Sequence, residues 1–98
     1  MTDLNKIKVI DFESLLVFWG LRGIVKMRPS LITDHSDFPS LNIFRFQMRL
    51  APRRGKSIII IYEYREGDNE YCIKSVNVFH QGVQRLFFKE AINYLSTL

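Results

Sequence analysis

Gly55-Lys56-Ser57, with Arg53 and Arg54 just before it, is the stretch of this chain closest to a known chemical motif. Gly-Lys-Ser closes the phosphate-binding loop signature, in which backbone amides curl round a nucleotide's phosphates. That signature needs a glycine five positions before Gly55, where Leu50 stands. It also needs a helix after the lysine, whose N-terminus holds the anion. Instead Ile58, Ile59, Ile60 and Ile61 follow Ser57, and then Tyr62, Glu63 and Tyr64. A β-branched and aromatic run of this kind is a strand. Spacing and order therefore exclude a nucleotide loop and leave a strand, a turn and a second strand.

The basic residues retain two readings. A tip of Pro52, Arg53, Arg54, Gly55 and Lys56 suits a solvated hairpin, with Gly55 taking positive φ. Arg45 and Arg49 carry the same charge down one face of the preceding strand. The set of Arg45, Arg49, Arg53, Arg54 and Lys56 could then contact phosphates or an acidic protein surface. The following turn, residues 65–70, is mostly acidic. Successive turns of a meander lie at opposite ends of the sheet. The domain is thus expected to have a positive and a negative end, a polarity suited to electrostatic docking, a second copy included.

Other candidates are sparse. Asp34-His35-Asp37 is the sole acid–histidine cluster, and His80 is the only other histidine. Structural and catalytic metal sites need three or four convergent ligands, so no metal, cofactor or catalysis is expected. Cys72 is the single cysteine and reads as a small apolar residue in a strand interior. A chain of this kind has no internal disulfide, which fits a reducing compartment.

The composition sets the remaining bounds. With 98 residues the chain makes one small domain, residues 1–98. Its hydrophobic fraction of 47% and charged fraction of 24% are those of a globular protein. No run approaches the roughly 18 to 20 apolar residues of a membrane span. Asp3, Asp11 and Glu13 precede the most apolar run, so no secretory leader is expected, and the setting is read as intracellular, cytoplasmic or nuclear. A net charge of +4 permits a nucleic-acid partner without demanding one.

These residues must be positioned by a small set of elements. Residues 6–10 alternate and form a short strand or lead-in. Asp11 is a helix N-cap with Glu13 in the first turn, and Gly20 or Gly23 stops the helix. Residues 24–27 are a candidate extra strand, and residues 30–40 read as loop. Residues 42–50 alternate strictly, with Phe44, Phe46, Met48 and Leu50 on one face and Ile43, Arg45, Gln47 and Arg49 on the other. Residues 58–65 and 71–79 are the next strands. Tyr62 and Tyr64 share the face of Ile58 and Ile60, which makes them core rather than a stacking platform. Ile59 and Ile61 then lie on the polar face, which something is expected to cover. Gln81 or Gly82 opens a final helix with a stripe from Val83 to Leu98.

The expected fold is therefore α+β, an antiparallel three-stranded meander, four-stranded if residues 24–27 join it. An N-terminal and a C-terminal helix flank it, in the order α-β-β-β-α. In element order this resembles double-stranded-RNA-binding domains and the small interaction folds of kinetochore complexes. The basic cluster that the first family carries at its last helix is missing, because His80-Gln81-Gly82-Val83-Gln84 stands there.

Residues 15–19 of the first helix are apolar all round, which a surface helix is not. Leu15, Phe18 and Trp19, with Phe88 and Ile92 from the last helix, are therefore the candidate protein interface. The expected function is a non-enzymatic interaction module, an adaptor, inhibitor or complex subunit. It would self-associate, as a homodimer, or bury this surface on a partner protein. The alternative is a small nucleic-acid-binding domain using the basic set at residues 45–56.

Overall fold

The structure is a computed structural model that describes residues 5–32, 42–80, 82–86, 90 and 93. The elements are β1 (Lys6–Lys8), α1 (Val9–Leu21), β2 (Val25–Leu31), β3 (Ile43–Arg53), β4 (Lys56–Arg65), β5 (Glu70–Phe79) and β6 (Val83–Leu86). Strands β2 to β5 lie side by side in chain order, all antiparallel. β1 and β6 share the outer edge of β5, with Lys6 opposite Cys72 and Val83 opposite Phe79.

The expected α-β-β-β-α order is overturned. The described residues form a six-stranded sheet with one helix, and the molecule is mostly sheet. The likeness in element order to double-stranded-RNA-binding domains and kinetochore folds falls with it. Two local causes account for the difference. Gly82 adopts φ 127, a glycine conformation that turns the chain back rather than opening a helix. Val83 to Leu86 then pair with the half of β5 that β1 leaves open, satisfying backbone groups that an exposed edge would strand. Of the remaining C-terminal stretch, only Glu90 and Asn93 are among the described residues, so the expected stripe there, with Phe88 and Ile92, lies outside them. The second cause is at β2, which is seven residues long and takes Ser30 and Leu31 from the expected loop. It meets β3 through two irregularities and includes Pro29, as edge strands protected from further pairing do.

Helix α1 begins before the expected cap. Lys8 is the N-cap without a side-chain hydrogen bond, and Asp11 lies inside the first turn. The Val9 N–H donates to the Asn69 carbonyl at 2.8 Å, so the β4–β5 turn supplies the acceptor that a cap side chain would give. The helix ends where Gly23 takes φ 72. Gly23 N–H then reaches the Gly20 carbonyl and Ile24 N–H reaches that of Trp19, closing the last turn.

One face of the sheet carries α1. Phe12 and Trp19, two helical turns apart, are fully buried against Met48, Leu50, Ile58, Ile60, Tyr62, Ile73, Val76 and Val78. Phe12 is the hub. Its ring centroid lies 4.8 Å from Tyr62, 5.3 Å from Tyr71 and 6.3 Å from Trp19. A bulge in β5 makes this face continuous. Ile61 pairs with Ser75 but Tyr62 with Ile73, leaving Lys74 as the extra residue. A strand has a side-chain period of two, so the extra residue switches parity. Tyr71 and Ile73 therefore point to the same side as Val76 and Val78.

Phe12→Ala should destabilise the fold by about 3–5 kcal/mol, the usual cost of emptying a buried aromatic site. Denaturant unfolding measures this directly. A loss under about 1 kcal/mol would mean that Phe12 is not the seat of the helix.

Candidate functional site

The residues expected to act together divide among three places. Leu15, Phe18 and Trp19 do not form one surface. Trp19 is fully buried inside the chain, and its indole N–H has no acceptor among the described residues. Leu15 and Phe18 are half-buried flanks of α1 packed on the core. The Arg22 guanidinium lies 5.1 Å from the Phe18 ring centroid.

The exposed apolar residues of α1 are others, namely Ile10 at 70%, Val17 at 63% and Leu21 at 85% exposure. At about 100° per residue these three positions fall within about 40° of arc, directly opposite Phe12 and Trp19. Ser14 lies beside them, its hydroxyl donating to the Ile10 carbonyl at 2.9 Å. The helix thus has an inner apolar face and an outer one. Between α1 and β2 runs a groove of about 520 Å³, with Leu16, Val17 and Gly20 on one side and Lys26, Arg28 and Pro29 on the other.

The basic set is broken up by its neighbours. Arg45 Nε donates to Glu63 Oε2 at 2.9 Å, and Nη2 reaches the same oxygen. Lys74 Nζ lies 3.3 Å from Glu63 Oε1, brought there by the β5 bulge. Arg49 is half-buried with its Nε enclosed and without an acceptor among the described residues. Arg53 and Arg54 are exposed at the β3–β4 turn, where Gly55 takes φ 78 as expected of a hairpin tip. Lys56 is half-buried across from Arg53. With its proton on Nδ1, His80 donates to the Gly55 carbonyl at 3.2 Å and braces the tip. Ile59 and Ile61 lie on the face away from α1 and are half-buried.

The tyrosines form the third place. Tyr62 is buried on the helix side, stacked on Phe46 at 5.4 Å. Burial, and secondarily the neighbouring Tyr71, push its phenol well above the ordinary tyrosine pKa. Tyr71 is raised by burial first, then by Glu13 and Tyr64. Tyr64 and Tyr71, 5.5 Å apart, wall a cleft of about 630 Å³ where α1 begins. Neither sequence alternation nor the apolar run at residues 15–19 singled out this cleft. It arises because β1 and the β4–β5 turn meet the N-terminus of α1.

Cys72 is a half-buried free thiol in β5. Asp34-His35-Asp37 lies outside the described residues. Among the described residues no group of three or more His, Cys, Asp or Glu side chains converges on a metal position. No helix among them is long and apolar enough to cross a membrane. In comparisons with known proteins, no family model matches the chain, and no curated protein or solved structure matches it.

The tyrosines set an expected pH dependence. Their folded pKa values lie above the unfolded value of about 10, so the folded state holds these protons more tightly. Stability from them is fully present below pH ~10 and is lost as pH rises beyond it. Tyr62→Phe should flatten that alkaline limb while leaving neutral-pH stability within about 1 kcal/mol. Chemical denaturation across alkaline pH tests this, and an unchanged limb in the variant would remove Tyr62 as its source.

Proposed function

We infer that the protein is a non-enzymatic interaction module, an adaptor, inhibitor or complex subunit that docks the outer face of α1 on another protein or a second copy. The observation that carries this reading is the stripe of Ile10, Val17 and Leu21, exposed on the side of α1 opposite its core contacts. Scattered exposed apolar residues are ordinary, but an aligned set on one helix marks a contact surface.

The size of the stripe constrains the partner. A 13-residue helix is about 20 Å long and about 10 Å wide, so its outer face offers on the order of 200 Å². A stable interface takes roughly 800 Å² from each side. The partner therefore also covers the groove beside β2, where Lys26 and Arg28 form a cationic rim. Leu15 and Phe18 contribute at the flanks, and Trp19 acts from inside by holding the helix in place. The sole cysteine supports a reducing intracellular setting.

In the nucleic-acid alternative two of the five residues are less free for phosphate contact. Arg45 is committed to Glu63, and the Nε of Arg49 is enclosed. A track that follows a phosphate backbone needs a run of available cations.

Replacing Val17 and Leu21 together by Glu should leave the melting temperature within a few degrees, because both side chains are already in water. Self-association measured by sedimentation equilibrium, or binding of a protein partner, should weaken by about tenfold or more. Unchanged association in a folded variant would refute the α1 surface. Binding of oligonucleotides in place of protein would favour the alternative.

A further inference from the structure

The two ends of the sheet carry opposite and unspent charge. At the β3–β4 end, Arg53 and Arg54 are exposed, and neither side chain has an ion-pair partner among the described residues. The C-terminus of α1 reaches the same end, since Ala51 N–H donates to the Ile24 carbonyl at 2.7 Å, and it brings exposed Arg22 with it. At the β4–β5 end, Glu66 and Asp68 are exposed in the turn, and the start of α1 adds Asp11 and Glu13. Glu13 and Asp68 likewise have no ion-pair partner among the described residues. Strands of ten residues at about 3.3 Å each hold the ends about 33 Å apart, along a molecule whose longest dimension is 41 Å.

The acidic end is also hollow. Its cleft is walled by the rings of Tyr64 and Tyr71, floored by Val9 and edged by Glu13 and Asp68, with Lys8 the one cation among its lining residues. A guanidinium suits such a cleft on two counts. It stacks on an aromatic face, and it accepts the geometry of carboxylates with paired N–H groups. The protein already holds one arginine over an aromatic ring, Arg22 on Phe18. The occupant with this chemistry on a narrow projection is the protein's own tip, a two-residue hairpin with His80 Nδ1 3.2 Å from the Gly55 carbonyl.

We propose that copies of this chain associate head to tail, the Arg53–Arg54 tip of one entering the Tyr64–Tyr71 cleft of the next. Because tip and cleft lie at opposite ends of the sheet, an end-to-end contact leaves a free tip on one copy and a free cleft on the other, and so extends into an open chain or a closed ring. It shares with the α1 stripe only Ile10, which also lines the cleft, and leaves Val17 and Leu21 outside the contact.

Sedimentation velocity on the full chain tests it through paired charge reversals. The wild type should show mass rising with concentration beyond a dimer at low salt, and falling back as salt shortens the Debye length from about 10 Å to about 3 Å. R53E/R54E and E13K/D68K should each weaken association by about tenfold or more while melting as the wild type does. Mixed in equal amounts they should reassociate, because the acidic tip of one meets the basic cleft of the other. R53A/R54A, which only removes the charge, should also weaken association and confirms that the tip acts by attraction. Three results of these experiments, and a fourth from the helix variant below, would overturn the proposal. One is a mixture that stays dispersed, another is association insensitive to salt and to both reversals, and the third is assembly that appears only when an oligonucleotide is added. V17E/L21E separates the two surfaces. If it alone abolishes association while the charge variants behave as wild type, the head-to-tail contact is refuted and the helix face stands.

Discussion

The ring of Phe12, set among Tyr62, Tyr71 and Trp19, is the contact on which the rest of the structure depends. Among the described elements one helix, α1, covers a face of the sheet, and this ring together with Trp19 fixes its rotation about its own axis. With those two residues pointing at the sheet, Ile10, Val17 and Leu21 have nowhere to point but outward. The same seating brings the start of α1 against the β4–β5 turn, where Val9 borrows the Asn69 carbonyl. One packing decision therefore positions both the outer apolar stripe and the tyrosine cleft.

The sheet supplies the second constraint. Tyr62 and Tyr71 can both meet Phe12 only because the bulge at Lys74 switches the parity of β5. The displaced residue is used on the opposite face, where Lys74 joins Arg45 on Glu63. Such half-exposed ion pairs contribute little to stability, of order 0–1 kcal/mol. Their effect is to offset part of the positive charge in the middle of that face, where one carboxylate is shared by two cations.

Much of this was legible in the residues. The alternation of residues 42–50 placed Phe46, Met48 and Leu50 on the core side, and Tyr62 followed from Ile58 and Ile60. The turns with Gly55 and Gly67 fell where expected, and so did the contrast in charge between the two ends. What failed depended on contacts distant in sequence. A stripe beginning at Val83 fits a helix or the first residues of a strand equally well, and the free half of β5 decided for a strand. The cap expected of Asp11 was supplanted by a carbonyl almost sixty residues away. Trp19 was read as interface because periodicity shows that a helix is apolar on two sides without showing which side meets the sheet. The signal for the β5 bulge was present in Tyr71, Ile73, Val76 and Val78, whose apolar positions change from odd to even.

The account holds that the two apolar faces of α1 do separate work, the inner one folding the chain and the outer one meeting a protein. Methyl and indole NMR spectra recorded from low to high protein concentration, and then with any protein that binds, examine both faces at once. The account predicts that the methyl signals of Val17 and Leu21 shift and broaden while the Trp19 indole signal stays in place. A moving Trp19 signal with unchanged Val17 and Leu21 would contradict it, because the inner face would then be the one that opens to a partner.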